Sequence, residues 1–218
     1  MREIARNCGS VLIYREGWIE KRLYSYYILG VQPEWLYGTD DRINNVYFQE
    51  TRFDENLLLK ISGLKKVWGL YLDYSNITDS GCKHIGSFQH LEELSLENTL
   101  VTDAGIDHLQ GLNIYDLVLD ETAITDQGLS HLAGMTSLIE LYLGDTKITD
   151  DGLRHLSGLQ NLEYLSLENT HVSDGCLQYI RKLKSLKYLN LQGTRVTKTA
   201  VQKLMKEIPS LVHPEFAY

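Results

Sequence analysis

The chain of 218 residues carries a formal net charge of -8, and 43% of its residues are hydrophobic and 23% charged. This length and apolar content suffice for a buried core, so a disordered chain and a strongly basic polyanion-binding protein are excluded. No run approaches the roughly 18 apolar residues that a membrane-spanning helix needs, and the start "MREIARN" is unlike a signal peptide.

Residues 1–42 do not share the pattern that fills the rest of the chain. We predict that this segment is an N-terminal cap that covers the exposed edge of the first repeat, since the end units of a repeat array must be shielded. The alternative is a separate binding surface formed by its aromatic residues. These residues are Trp18, Tyr24, Tyr26, Tyr27, Trp35 and Tyr37.

From Ile43 onward the chain repeats one sequence motif. Its period is 24 residues, except for one interval of 23 residues. The copy at Leu138 reads LIELYLGDTKITDDGLRHLSGLQN, and the next copy at Leu162 reads LEYLSLENTHVSDGCLQYIRKLKS. Further copies begin at Ile43, Val67, Leu91, Ile114 and Leu186. Such a period indicates stacked repeats, and we predict a solenoid of about seven repeats over residues 43–211, followed by a C-terminal tail at 212–218.

Each repeat has two apolar periods. Alternation in LxxLxLxxT predicts a short strand with one buried face, whereas the spacing of Ile148, Leu153, Leu156 and Leu159 predicts about two helical turns. Neither element buries its apolar side alone, so the repeats must share one core and form an α/β fold.

Three further sets of residues occupy equivalent positions in successive repeats, and each set is here called a column. We predict that the aspartates cap the helices through their carboxylates, that the glycines satisfy a demand for small volume, and that the threonines bond backbone groups at the turn. The aspartates are Asp79, Asp103, Asp126, Asp150 and Asp174. The glycines are Gly81, Gly105, Gly128 and Gly152, and the turn column is Thr51, Ser75, Thr99, Thr122, Thr146, Thr170 and Thr194.

These motifs resemble leucine-rich repeat proteins of the variant whose repeats carry ITDxGL, as in cysteine-containing repeats of F-box substrate receptors and many bacterial proteins. The resemblance implies a right-handed solenoid with a parallel concave sheet and convex helices. The segments "CGSVLIYREG" and "LMKEIPSL" are similar to the ends of bacterial membrane-tethered members, which implies that an N-terminal anchor is lost or absent. No F-box is visible in the sequence, so an adaptor role is not carried over.

The outward positions of the strands are not dictated by the repeat. Of 28 such positions ten are acidic, six are tyrosine and none is Lys, Arg or His. Stacked like charges cost stability, so this composition favours a basic partner, with tyrosines as contact anchors. The predicted partner-binding residues are Tyr71, Asp73, Tyr74, Glu93, Glu97, Asp116, Asp120, Glu140, Tyr142, Tyr164, Glu168 and Tyr188.

These patterns predict a non-enzymatic scaffold that binds a basic protein or peptide and needs no cofactor or metal. The alternative is a carboxylate-rich enzyme or cation-binding groove, since paired acids perform acid-base chemistry and oxygen ligands suit calcium. A histidine column could hold metal, but identical side chains on parallel helices converge poorly on one ion. It comprises His84, His108, His131 and His155.

The basic residues and the cysteines bear on nucleic-acid binding and on the cellular compartment of the protein. Basic residues crowd the last repeat, but the chain is acidic overall and lacks interleaved aromatics, so we expect no nucleic-acid binding. Three cysteines, an odd number, argue against a disulfide framework and fit a cytoplasmic protein.

Overall fold

The computed structural model describes residues 10–15, 26–28, 43–49, 55–62 and 67–216. Strands and helical segments alternate along the repeats, as the two apolar periods predict. The strands are β1 (Ser10–Arg15), β2 (Tyr26–Ile28), β3 (Ile43–Gln49), β4 (Gly69–Tyr71), β5 (Glu93–Ser95), β6 (Asp116–Val118), β7 (Glu140–Tyr142), β8 (Tyr164–Ser166), β9 (Tyr188–Leu191) and β10 (His213–Phe216). The helices are α1 (Asn56–Ile61), α2 (Asp79–Ile85), α3 (Asp103–Asp107), α4 (Asp126–Leu132), α5 (Leu177–Ile180) and α6 (Lys198–Glu207), with 3-10 helices at Gly152–Gly158 and Asp174–Cys176.

The ten strands of the described residues form one open sheet. Strands β3 to β10 are parallel and lie side by side in chain order. Corresponding residues of successive repeats are in register, so Leu94 lies between Leu70 and Leu117. The predicted α/β solenoid with a parallel sheet is therefore confirmed.

Both ends of the sheet lie in segments predicted to be outside the repeats. At one end β1 pairs antiparallel with β3, from Ser10 opposite Gln49 to Arg15 opposite Ile43, and β2 follows β1. At the other end β10 pairs parallel with β9, so the sheet continues into the segment predicted as a tail. That the first 42 residues are required as a cap stays a prediction.

The core lies between the sheet and the helices. Leu141 and Leu143 of the strand segment are fully buried, as are Ile148 and Leu156 of the segment that follows. The same columns are buried in the other repeats from residue 67 onward, except at the partly buried Val196, and the buried side chains form one continuous cluster. No repeat has a closed core of its own, so each depends on its neighbours for burial.

The predicted role of the threonine column is confirmed. The hydroxyls of Thr99, Thr122, Thr146, Thr170 and Thr194 each donate to the carbonyl three residues earlier, at 2.6–2.7 Å. These bonds satisfy acceptors where the chain leaves the strand. Thr51 lies outside the described residues.

The prediction that the aspartates cap the helices is wrong. In α3 and α4 the cap is the preceding threonine, whose hydroxyl accepts the N–H of Ala104 or Gln127. The carboxylate of Asp126 instead accepts the N–H and hydroxyl of Thr149 in the next repeat, at 2.8 and 2.6 Å. Sequence alone did not distinguish them, because threonine and aspartate are both good caps and stand side by side.

This contact recurs along the solenoid, and we call it the carboxylate ladder. In each rung a side-chain carboxylate accepts both the N–H and the hydroxyl of a Thr or Ser in the next repeat, which joins the two repeats directly. Its rungs are Glu55 to Thr78, Asp79 to Thr102, Asp103 to Thr125, Asp126 to Thr149, Asp150 to Ser173 and Asp174 to Thr197.

The ladder also explains the glycine column. A Cβ atom added to Gly128 would lie 2.5 Å from a carboxylate oxygen of Asp103, and one added to Gly105 would lie 2.6 Å from Asp79. Such distances are too short for a side chain. The predicted demand for small volume is confirmed. At Gly105, Gly128 and Gly152 the nearest atom belongs to the aspartate of the preceding repeat, whereas at Gly81 it belongs to Ile77 of the same repeat.

Candidate functional site

The twelve predicted partner-binding residues lie along the sheet face that points away from the helices, here called the outer face. The resemblance places this face on the concave side. The pairing of β4 to β9 puts Glu93, Asp116 and Glu140 next to one another, with Tyr164 and Tyr188 continuing the same row. Tyr71 and Tyr142 come two residues later in their strands. The remaining five follow the strands and are Asp73, Tyr74, Glu97, Asp120 and Glu168.

Two of the predicted acids hold neighbouring repeats together. A carboxylate oxygen of Asp73 accepts the Ser95 hydroxyl at 2.5 Å and the Glu97 N–H at 2.9 Å. The carboxylate of Asp120 accepts the N–H of Gly144. Burial raises the pKa of Asp73, and it raises the pKa of Asp120 to about 6 although the Gly144 bond favours the ionised form. Both carboxylates are therefore structural as well as part of the face.

Three tyrosines bond to glutamates within the face. The hydroxyl of Tyr142 donates to Glu140 at 2.8 Å. Tyr71 donates in the same way to Glu93, and Tyr74 to Glu97. The Glu97 bond raises the pKa of Tyr74 to about 12, and burial followed by the Glu140 bond raises the pKa of Tyr142. These hydroxyls are held by neighbouring acids, so the tyrosines offer mainly their rings to a partner.

The tyrosines at the C-terminal side of the face form a row of rings. Tyr142 and Tyr164 stack with ring centroids 4.6 Å apart and planes inclined by 29°. Tyr188 follows Tyr164 at 6.2 Å. Burial raises the pKa of Tyr164 above its ordinary value. The row presents aromatic rings beside the carboxylates.

A shallow depression of about 270 Å³ opens on the outer face beside this row. It contains five of the predicted residues, Glu97, Asp120, Tyr142, Tyr164 and Glu168. Glu121 and Asp145 also line it, which the prediction did not include. None of the ten described residues that line the depression is Lys, Arg or His.

Glu121 and Asp145 belong to a column that was counted among the outward positions, but its backbone conformation was not predicted from the sequence. Residues at this place have a positive φ, from 50° to 69°, and all but Gly193 donate their N–H to a carbonyl of the next repeat. Asn, Asp and Gly tolerate a positive φ best, and four of the six residues are of these types. This composition is the feature of the sequence that could have indicated the positive φ. The column is Tyr74, Asn98, Glu121, Asp145, Asn169 and Gly193.

Asp116 lies in the middle of a row of three carboxylates. Glu93 and Glu140 flank it on the adjacent strands, and its buried Oδ1 has no hydrogen-bond partner among the described residues. Burial, followed by repulsion from Glu140 and Glu93, raises the pKa of Asp116 to about 6. Ionised Asp116 therefore carries an electrostatic cost in the folded protein.

We expect Asp116→Asn to stabilise the protein by about 1 kcal/mol at pH 7.5, after discounting the pKa shift for solvent screening. Because the folded pKa is above the usual 3.8, the wild-type penalty is present above pH 6 and fades as pH falls towards 4. Urea denaturation at pH 7.5 and 4.5 measures this difference.

Asp151→Asn, at an exposed acid before the 3-10 helix, is the control for the change of charge. A stabilisation of equal size from this control, or one that grows as pH falls, would contradict the assignment.

The histidine column lies on the helical side. His131 Nδ1 is 3.1 Å from Asp107 and 3.0 Å from the Gln110 side chain. Within the described ranges, no three His, Cys, Asp or Glu side chains are grouped so that they could hold a metal ion. Cys82 and Cys176 are buried free thiols, and burial raises the pKa of both, whereas Cys8 lies outside the described residues.

The basic residues of the last repeats are partly paired. Lys187 contacts Glu163 at 2.7 Å, and Arg181 lies 4.0 Å from Glu207. Among the helices of the described segments, none is long and apolar enough to cross a membrane.

Residues 112–172 match the Leucine rich repeat family. Among solved structures, internalin C2 (inlC2) from Listeria monocytogenes is similar with a TM-score of 0.62 and 21% identity, over 86% of this chain and 84% of that one. An internalin (inlF) from the same organism gives a TM-score of 0.53 and 19% identity, over 73% of this chain and 52% of that one. This chain thus spans about half the length of the second internalin. No curated protein matches the sequence at a significant level.

Proposed function

We propose that this chain, whose residues 112–172 match the leucine-rich repeat family and whose fold is similar to that of internalins, is a non-enzymatic scaffold that binds a basic protein or peptide segment on its outer face. The observation that carries the proposal is the depression. Five carboxylates and two stacked tyrosines line it, and none of its described lining residues is Lys, Arg or His. A partner that supplies the missing positive charge fits this arrangement best.

No basic residue among the described lining of the depression neutralises its carboxylates. Hydrogen bonds from tyrosine, asparagine and backbone donors stabilise these carboxylates but leave their negative charge in place. A row of like charges without lysine attracts a cationic segment from a distance and increases its rate of association.

The tyrosines supply contact energy. Tyrosine buries a large ring with little loss of rotamer freedom, and an arginine or lysine of the partner can pack over its face. Stacking holds Tyr142 and Tyr164 in place before a partner arrives, so little entropy is lost on binding.

The depression suits contact with a macromolecule better than catalysis. It is shallow and open, whereas acid-base chemistry on a small substrate favours a concave site that buries its ligand. Its carboxylates also belong to a repeating pattern in which several are committed to neighbours in the sheet.

The charge contribution is tested with a synthetic arginine–glycine peptide as the probe. We expect the triple variant Glu93→Gln, Glu97→Gln and Glu140→Gln to slow association about tenfold at low salt and to flatten the salt dependence. Glutamine keeps an oxygen to accept the tyrosine hydroxyls, so the change removes charge with little change of shape. Surface-plasmon kinetics at two salt concentrations measure both effects.

A matched control removes three acids from the helical side through Asp107→Asn, Asp151→Asn and Glu207→Gln. This variant has the same net charge as the first and is expected to associate nearly as fast as wild type. Equal slowing by both variants would show that only the net charge matters, and the proposed face would then be wrong.

A further inference from the structure

A row of residues borders the outer face one position before the strands. Its backbone continues the hydrogen bonding between the strands. The N–H of Tyr115 donates to the Glu92 carbonyl and the N–H of Ile139 donates to the Tyr115 carbonyl, at 2.7 and 2.8 Å. The Glu92 N–H donates in turn to Trp68 at 2.7 Å. Trp68, Tyr115 and Ile139 are here called the apolar rim.

The apolar rim is exposed. Trp68 is 40% exposed, Tyr115 42% and Ile139 37%. An isolated exposed hydrophobic residue is common on protein surfaces, but Tyr115 and Ile139 are adjacent in the row and Trp68 lies on the other side of the half-buried Glu92. A partner that covers the row removes all three apolar side chains from water. Beyond Ile139 the row continues with Glu163 and Lys187, which pair with each other.

The rim adjoins the carboxylate row. Tyr115 precedes Asp116 and Ile139 precedes Glu140, so the backbone positions of the two rows are one residue step, roughly 3.4 Å, apart along the chain, where the strands begin. A partner that covers both rows meets negative charge on one side and apolar surface on the other. Basic residues alone would leave the rim uncovered.

We propose that the apolar rim is the second half of the binding surface and that the partner segment carries large apolar residues next to its basic ones. This inference rests on the proposed function of the outer face. Charge complementarity to Glu93, Asp116 and Glu140 selects the basic residues, and burial of the rim selects their apolar neighbours.

Two synthetic peptides of equal length and charge separate the contributions. One repeats arginine with glycine only, and the other replaces part of the glycine with leucine. We expect wild-type protein to bind the leucine-containing peptide at least about tenfold more tightly by calorimetric titration, since one well-packed apolar anchor contributes that much.

The rim variant Trp68→Ser, Tyr115→Ser and Ile139→Ser should lose this preference while it still binds the arginine–glycine peptide. Its control, Leu59→Ser, Leu100→Ser and Met205→Ser, changes three exposed hydrophobic residues outside the rim and should keep the preference. The single variant Tyr115→Ser, expected to halve the preference or more, provides the same comparison if the triple variant unfolds early in a thermal melt.

The outcomes distinguish the two proposals. If wild type binds both peptides equally, or if the rim variants keep the preference, the rim inference is overturned and the proposed function stands. If wild type binds neither peptide, both are overturned.

Discussion

Asp126→Ala is expected to lower the free energy of unfolding by about 2 kcal/mol, because two hydrogen bonds to a carboxylate are lost together. The alanine leaves the N–H and hydroxyl of Thr149 without their acceptor in the preceding repeat. A cap alone would be worth on the order of 1 kcal/mol. Urea denaturation of the two proteins measures the difference.

A double-mutant cycle tests the contact itself. Thr149→Val removes the hydroxyl but keeps the N–H, so we expect it to couple with Asp126→Ala by about 1 kcal/mol. Additive losses would mean that Asp126 acts only within its own helix, which contradicts the ladder. Asp151→Ala, at an exposed acid outside the ladder, should change stability by no more than about 0.5 kcal/mol.

The ladder gives the solenoid a polar connection in addition to its core. Successive repeats share buried leucines, but apolar contacts tolerate small slips, whereas a carboxylate that accepts two donors fixes the offset between repeats. We therefore expect loss of a rung to weaken one interface of the array and leave distant interfaces unchanged.

The fold could be predicted from the sequence because its signals are local and repeated. Leu141 and Leu143 alternate with Tyr142, and this alternation alone assigns one strand face to the core and the other to solvent. The same rule placed the predicted site residues other than Tyr74 on one face. The Thr146 turn was predicted as well, because its bond closes within three residues.

The features that were not predicted from the sequence depend on how neighbouring repeats stack. The acceptor of Thr149 lies 23 residues back, and a single repeat gives no sign of which side chain faces it. The bonds from Tyr71 to Glu93 and from Asp120 to Gly144 likewise require the stacking offset. The apolar rim was missed because its exposure depends on where the strands begin, and periodicity locates strand ends poorly.

For the binding surface, Tyr142→Ala and Tyr164→Ala are each expected to weaken binding of the arginine–glycine peptide about tenfold, mainly through faster dissociation. Each removes a ring from the stacked row beside the depression. The matched variants Tyr142→Phe and Tyr164→Phe keep the rings and lose only hydroxyls. They should bind nearly as tightly as wild type, because the Tyr142 hydroxyl is already held by Glu140.

The most direct test of the outer face as the binding surface is the dissociation constant of the arginine–glycine peptide at low and high salt. It is measured by titration calorimetry for the wild type, the double alanine variant and the double phenylalanine variant. We predict saturable, salt-sensitive binding by the wild-type and phenylalanine proteins and a loss of about a hundredfold in the alanine protein. Wild-type protein that fails to bind the peptide, or an alanine variant that binds it as tightly as wild type, would contradict the account.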